Sequence, residues 1–215
     1  MAGWPVGIRT AFNTTEVSVD DVVQLNATLI DRANNSVTGD LTWRCQNGII
    51  DYLNHTWTPE NIGNTTMRII HLELETQVVF NVVPGSPKTL DIPYGQTVQS
   101  GSTLQILPVA KDAKGNEVGI SKAGVLTWSV ENGSISPTGV YYGGAPGLWN
   151  ISVNSTSGAN GSGTIRVLPA KATGLDLEMN VGQARTGSQV ILSAIRTDVL
   201  GNTGEVILPL SNWTV

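Results

Sequence analysis

Ten asparagines in this chain stand two residues before a serine or threonine: Asn13, Asn26, Asn34, Asn54, Asn64, Asn132, Asn150, Asn154, Asn160 and Asn212. They are 10 of 17 asparagines, in a chain where serine and threonine make up 39 of 215 residues. At that abundance chance would produce only about three such sites. Asn-x-Ser/Thr is the acceptor sequence for N-linked glycans, which are bulky, solvated and confined to surfaces. The excess predicts a glycoprotein with N-linked glycans. The competing explanation is that turns favour Asn and strand exteriors favour Thr, which raises the count without any glycan.

Other chemistry is sparse. Asp31, Asp112 and Asp198 each end an apolar run, at places where linked β-domains can bind Ca²⁺ through several oxygens. They are weak calcium candidates, because Asp-x-x-Gly-Asn also makes a good turn in which the carboxylate binds its own backbone. No other metal is expected, and no cofactor. His55 and His71, the only histidines, have no Cys or carboxylate at metal-ligand spacing. Neither has a nucleophile and acid in a triad-like arrangement, so no catalytic residue is assigned and the chain is read as a non-enzyme. Cys45 is the only cysteine, which excludes an intrachain disulfide. It reads as a small apolar side chain. The Gly143–Gly147 run precedes no helix, so it lacks the amide cradle that binds phosphate.

The elements that must position these residues are strands. Val23, Leu25, Ala27 and Leu29 alternate with polar neighbours, as do Trp149, Ile151 and Val153. A strand turns alternate side chains to opposite faces, so Asn26, Asn150 and Asn154 are expected to point outward. Charged residues make up 13% of the chain and the net charge is −5, against about 25% charged in an average domain. The 12 basic residues are scattered, which gives no footprint for nucleic acid. No apolar run approaches the roughly 18 residues of a spanning helix, so no membrane insertion is expected of this segment.

The chain repeats itself. Leu41-Thr42-Trp43-Arg44-Cys45-Gln46-Asn47-Gly48 matches Leu126-Thr127-Trp128-Ser129-Val130-Glu131-Asn132-Gly133, and Ser211-Asn212-Trp213-Thr214-Val215 begins the motif again. The tryptophans are 85 residues apart both times. Apolar runs ending in Asp31, Asp112 and Asp198 precede them. Val82-Val83-Pro84 and Val167-Leu168-Pro169 close the first two copies. This predicts tandem all-β immunoglobulin-like sandwiches at 1–84 and 85–169, with an incomplete third domain at 170–215. Trp43, Trp128 and Trp213 are expected in the cores. Short, Pro-stiffened linkers predict a fairly rigid rod. The third copy holds too few strands for a two-sheet core; further sequence or a strand from another chain would complete it.

The run Trp128-Ser129-Val130-Glu131-Asn132-Gly133-Ser134-Ile135-Ser136-Pro137-Thr138-Gly139-Val140-Tyr141 resembles the bacterial Ig-like domains of invasin- and intimin-type proteins. So do Asp112-Ala113-Lys114-Gly115-Asn116 and Gly147-Leu148-Trp149-Asn150-Ile151-Ser152-Val153. The resemblance spans the second copy, the first more loosely and the third as far as it goes. It implies an extracellular, cell-surface structural or adhesive module and brings no catalytic residues. Combined with dense sequons, it points to an archaeal-type surface glycoprotein such as a surface layer, thread or pilus-like filament. Its partners would be further copies of itself or other surface proteins. A stalk of an adhesin and a spacer of a secreted enzyme are the alternatives.

Overall fold

The computed structural model describes residues 3–180 and 182–206. These residues form strands and turns, with one short 3-10 helix at Ile120–Ala123 among them. The chain divides into two compact units, Met1–Thr89 with Ala110–Lys122, and Leu90–Val109 with Ala123–Val215.

In the first unit a hairpin of Gly63–His71 and Leu74–Val83 is the backbone of one sheet. Thr42–Arg44 lies antiparallel beside Gly63–His71, and Glu16–Ser18 parallel beside Leu74–Val83. Alternation decides which faces are covered: Met67, Ile69, Phe80 and Val82 are buried, while Thr66, Arg68, Val79 and Asn81 are exposed. Two smaller sheets face them, Gly7–Thr10 with Ala27–Ile30 and Ser36–Val37, and Val23–Gln24 with Thr56–Thr58 and Ile49–Asp51. Val17, Leu25, Trp43 and Trp57 fill the space between. Phe80 packs edge-to-face against Phe12 and at a tilt against Trp57, with ring centroids 5.0 Å apart in both pairs.

The second unit repeats this plan. Asn160–Leu168 and Gly147–Ser155 form the long hairpin, flanked by Gln96–Gln99 in parallel and Leu126–Val130 in antiparallel pairing. Thr103–Gln105, Val140–Tyr142 and Ser134–Ile135 make the small facing sheet. Val98, Ile106, Tyr141, Ile151, Ile165 and Val167 form its core. Further along, Ala172–Met179, Leu192–Asp198 and Thr203–Val206 reproduce only the Gly7–Thr10 type of three-stranded sheet. Leu175, Leu177 and Met179 on that sheet are exposed.

Three details differ from the sequence expectations. The run Val23–Asp31 is two strands, because it changes sheets midway. Leu25 N–H donates to His55 O, whereas Asn26 O accepts from Ala11 N–H. Leu104–Asp112 breaks the same way into Thr103–Gln105 and Val109–Lys111. Among the repeat tryptophans, Trp43 is buried, Trp128 is half-buried against the second core, and Trp213 lies outside the described residues. Among the described residues the most enclosed tryptophan is instead Trp57, at 0% exposure. Its Nε1 donates to Asn47 O, and Tyr141 Oη donates to Asn132 O in the second unit. One aromatic position is therefore Trp in one copy and Tyr in the other, which hid it from the repeat pattern.

Candidate functional site: a repeated aspartate turn and exposed acceptor asparagines

The turn after each apolar run is built the same way three times. Asp31, Asp112 and Asp198 are all buried. In each, Oδ1 accepts the backbone N–H groups two and four residues ahead: Ala33 and Asn35, Lys114 and Asn116, Leu200 and Asn202, all at 2.9 Å. In each, Oδ2 accepts the side-chain amide of that Asn, from Asn35, Asn116 and Asn202. The third turn residue is Asn34, Gly115 or Gly201, each at positive φ of 64°, 83° and 79°, a conformation these residue types tolerate best.

A fourth donor comes from far back in the chain. Oδ2 of Asp31 accepts Gly3 N–H, that of Asp112 accepts Gly85 N–H, and that of Asp198 accepts Ala170 N–H, at 2.9, 2.9 and 3.1 Å. These donors stand just ahead of the first strand of each copy, so each carboxylate ties its own turn to its own entry segment. Next to Gly85, Ser86 N–H donates to Asp20 Oδ2 at 2.7 Å. A Cβ on residue 85 would meet that Asp20 carboxylate, which would then have to shift. Lys114 Nζ adds a bond to Pro59 O at 2.6 Å, and Asn202 Nδ2 one to Ser100 Oγ at 3.0 Å.

The electrostatics follow from the donors. The Gly3 and Asn35 backbone N–H groups and the Asn35 amide lower the Asp31 pKa to about 2. Burial works to raise that of Asp112, but the Asn116 amide and the N–H groups of Gly85, Asn116 and Lys114 outweigh it and hold it below the ordinary value. The Asn202 amide is the main cause of the lowered pKa of Asp198. An ionised carboxylate offers about four lone-pair positions. Here all four are taken by N–H groups, so the geometry gives each aspartate a structural task. Among the described residues no group of three or more His, Cys, Asp or Glu is placed to hold a metal ion.

The acceptor asparagines are set out differently. Asn13, Asn26, Asn34, Asn54, Asn64, Asn150, Asn154 and Asn160 are exposed. Asn150 and Asn154 lie on the outward face of Gly147–Ser155, and Asn26 at the sheet crossover. Asn212 lies outside the described residues. Asn132 departs from the rest. It is half-buried, its Oδ1 accepts Ala145 N–H and its backbone O accepts Tyr141 Oη. Asn47, 85 residues earlier, plays the matching part: its Oδ1 accepts the Glu60 and Asn61 N–H groups. Asn132 thus ties its turn to Ala145 and Tyr141.

Of the remaining candidates, His55 is exposed in a hairpin turn at φ 53°, and His71 Nδ1 faces Asp40 O at 2.7 Å. Cys45 is half-buried against the first core, its Sγ 3.4 Å from Asn47 O and from Thr65 Oγ1. Val130 takes the corresponding place in the second core. No helix among the described residues is long and apolar enough to cross a membrane.

No family model matches the chain, and no curated protein matches it. Among solved structures it is similar to surface layer protein SbsC, domains 1-6, at 14% identity, covering 96% of this chain and 33% of that one with a TM-score of 0.38. Human Protocadherin-24 EC1-2 matches at 14% identity, covering 78% of this chain and 100% of that one, TM-score 0.40. Drosophila N-cadherin EC1-4 matches at 9% identity, covering 78% and 50%, TM-score 0.41. The chain spans about a third of the surface layer structure.

Proposed function

We propose that this chain is a non-catalytic structural repeat segment of an extracellular cell-surface glycoprotein, of the kind that builds a surface layer, thread or pilus-like filament. The observation that carries this reading is the placement of the acceptor asparagines. Eight of them are exposed on sandwiches built to one plan, so glycans can be carried without disturbing either core. The repeated aspartate turn supports it further. It fixes the start of each copy with hydrogen bonds internal to the chain, which suits a part whose task is mechanical. The copies are read as domains at 1–84, 85–169 and 170–215, with neighbouring copies or other surface proteins as partners and N-linked glycans as the modification. Calcium is given no part in holding these turns. The joint appearance of Ig-like repeats and dense sequons favours an archaeal source.

The test is surface labelling of intact cells of the native source. A membrane-impermeant amine reagent that modifies Lys88, Lys114 and Lys171 before lysis, together with release of the protein by mild surface proteolysis, is the expected result. Labelling only after lysis would overturn the assignment.

A further inference from the structure

We propose that Asn154 and Asn160 form a single glycan-acceptor locus that carries one N-linked glycan per chain, never two. The inference rests on the glycoprotein reading above and sharpens it. In sequence the two sites are separate sequons, Asn154-Ser155-Thr156 and Asn160-Gly161-Ser162. In the structure they are direct cross-strand partners, at the end of the hairpin between Gly147–Ser155 and Asn160–Leu168. Both are exposed, and directly paired residues share one face of a sheet.

Side chains at directly paired positions have Cβ atoms about 4.5–5.5 Å apart. A pyranose ring with its hydroxyl substituents is wider than that gap. Room to splay is limited on the Asn154 side. Asn154 is paired with Thr127 on the neighbouring strand. The joining turn is tied by Ser155 N–H to Ala159 O at 2.8 Å and by Gly158 N–H to Ser155 O at 3.0 Å. A glycan on one asparagine therefore stands over its partner and blocks the second transfer.

The chemistry at either site is the same. The amide Nδ2 bonds to C1 of a glycan activated as its lipid-linked phosphate or diphosphate. The C1–O bond to phosphorus-bound oxygen breaks, the lipid phosphate leaves with the electron pair, and Nδ2 gives up one proton. Nδ2 must be reachable for this. Asn54 and Asn150 donate theirs to Asp51 Oδ2 and Glu131 Oε1. No protein group among the described residues holds Nδ2 of Asn154 or Asn160, which leaves each free to attack C1.

The experiment uses the full chain, secreted from a host that glycosylates Asn-x-Ser/Thr, with site-resolved mass spectrometry. Lys122 and Arg166 bound one tryptic peptide that holds both sites. The expected wild-type peptide carries a glycan at Asn154 or at Asn160. The two acceptors compete for one space, so Asn154→Gln moves all of the locus's glycan to Asn160, and Asn160→Gln moves it to Asn154. Peptide glycosylated at both positions overturns the exclusion and leaves the glycoprotein reading standing. Glycans at other sequons with none at this pair also overturn it. A chain bare at every sequon overturns the glycoprotein reading, and this locus with it.

Discussion

Replacing Asp112 by Asn tests the repeated turn with a change of one atom. Asp112 is 3% exposed and accepts Lys114, Asn116 and Gly85 N–H together with the Asn116 amide, at 2.9 to 3.0 Å. In Asp112→Asn one oxygen becomes NH₂. Whichever way the amide turns, two N–H donors then face two others. If the Oδ1 bonds are kept, Gly85 N–H and the Asn116 amide lose their acceptor. A buried donor left unsatisfied costs about 1–3 kcal/mol. Gly85 N–H is buried and the Asn116 amide partly so, which gives a total of roughly 2–4 kcal/mol. A loss of that size lowers the melting temperature of a small domain by about 10–30 °C. The assay is calorimetry at pH 7, with Glu73→Gln as the control for removing one charge from an exposed turn. The same fall is expected in EDTA and in millimolar calcium, because N–H groups fill the carboxylate. A fall below about 2 °C would refute the four-donor account. So would a wild-type melting temperature that rises with calcium while that of Asp112→Asn does not.

Three further outcomes follow from the same geometry. The Asp31 pKa of about 2 lies below its usual 3.8, so its stabilisation is complete above the unfolded value and is lost as pH falls through the folded one. Acid titration followed by circular dichroism should show stability declining between about pH 4 and pH 2, and Asp31→Asn should flatten that decline. Leu72 is 84% exposed and opens the two-residue turn of the long hairpin at φ 52°; a left-handed conformation costs a non-glycine residue about 1–2 kcal/mol. Leu72→Asn should therefore raise the urea midpoint, by a stability gain of about 0.5–1 kcal/mol. Asn132→Gln should destabilise the second sandwich by about 1–2 kcal/mol in urea melts, through the lost Ala145 bond, while leaving the glycan count unchanged.

Much of the fold was legible because it is written three times. The 85-residue repeat of Trp43, Trp128 and Trp213, with alternating apolar runs before each, identifies strands and sandwiches without structural help. What the sequence hides is partner exchange. Nothing in Val23–Asp31 announces that Leu25 bonds one sheet and Asn26 the other, since the apolar alternation runs through both. The turn half of the aspartate site was legible, because Asp-x-x-Gly-Asn states its own local hydrogen bonds. The donors Gly3, Gly85 and Ala170 were not, because backbone N–H groups 27 or 28 residues away have no sequence signature. Outward placement of Asn150 and Asn154 was readable from alternation, whereas Asn26 is exposed at the crossover between two sheets. The pairing of Asn154 with Asn160 needed the register. Asn132 could have been set apart from the other sequons by its repeat partner Asn47, which lacks the following Ser or Thr.

The central claim is that these sandwiches are glycan-bearing surface modules, and intact mass with glycopeptide mapping on protein from its native source tests it most directly. Glycans at Asn26 and Asn64, one at the Asn154 and Asn160 pair, and none at Asn132 are the result the account predicts. A native protein with unmodified asparagine at Asn26, Asn64, Asn154 and Asn160 would contradict it.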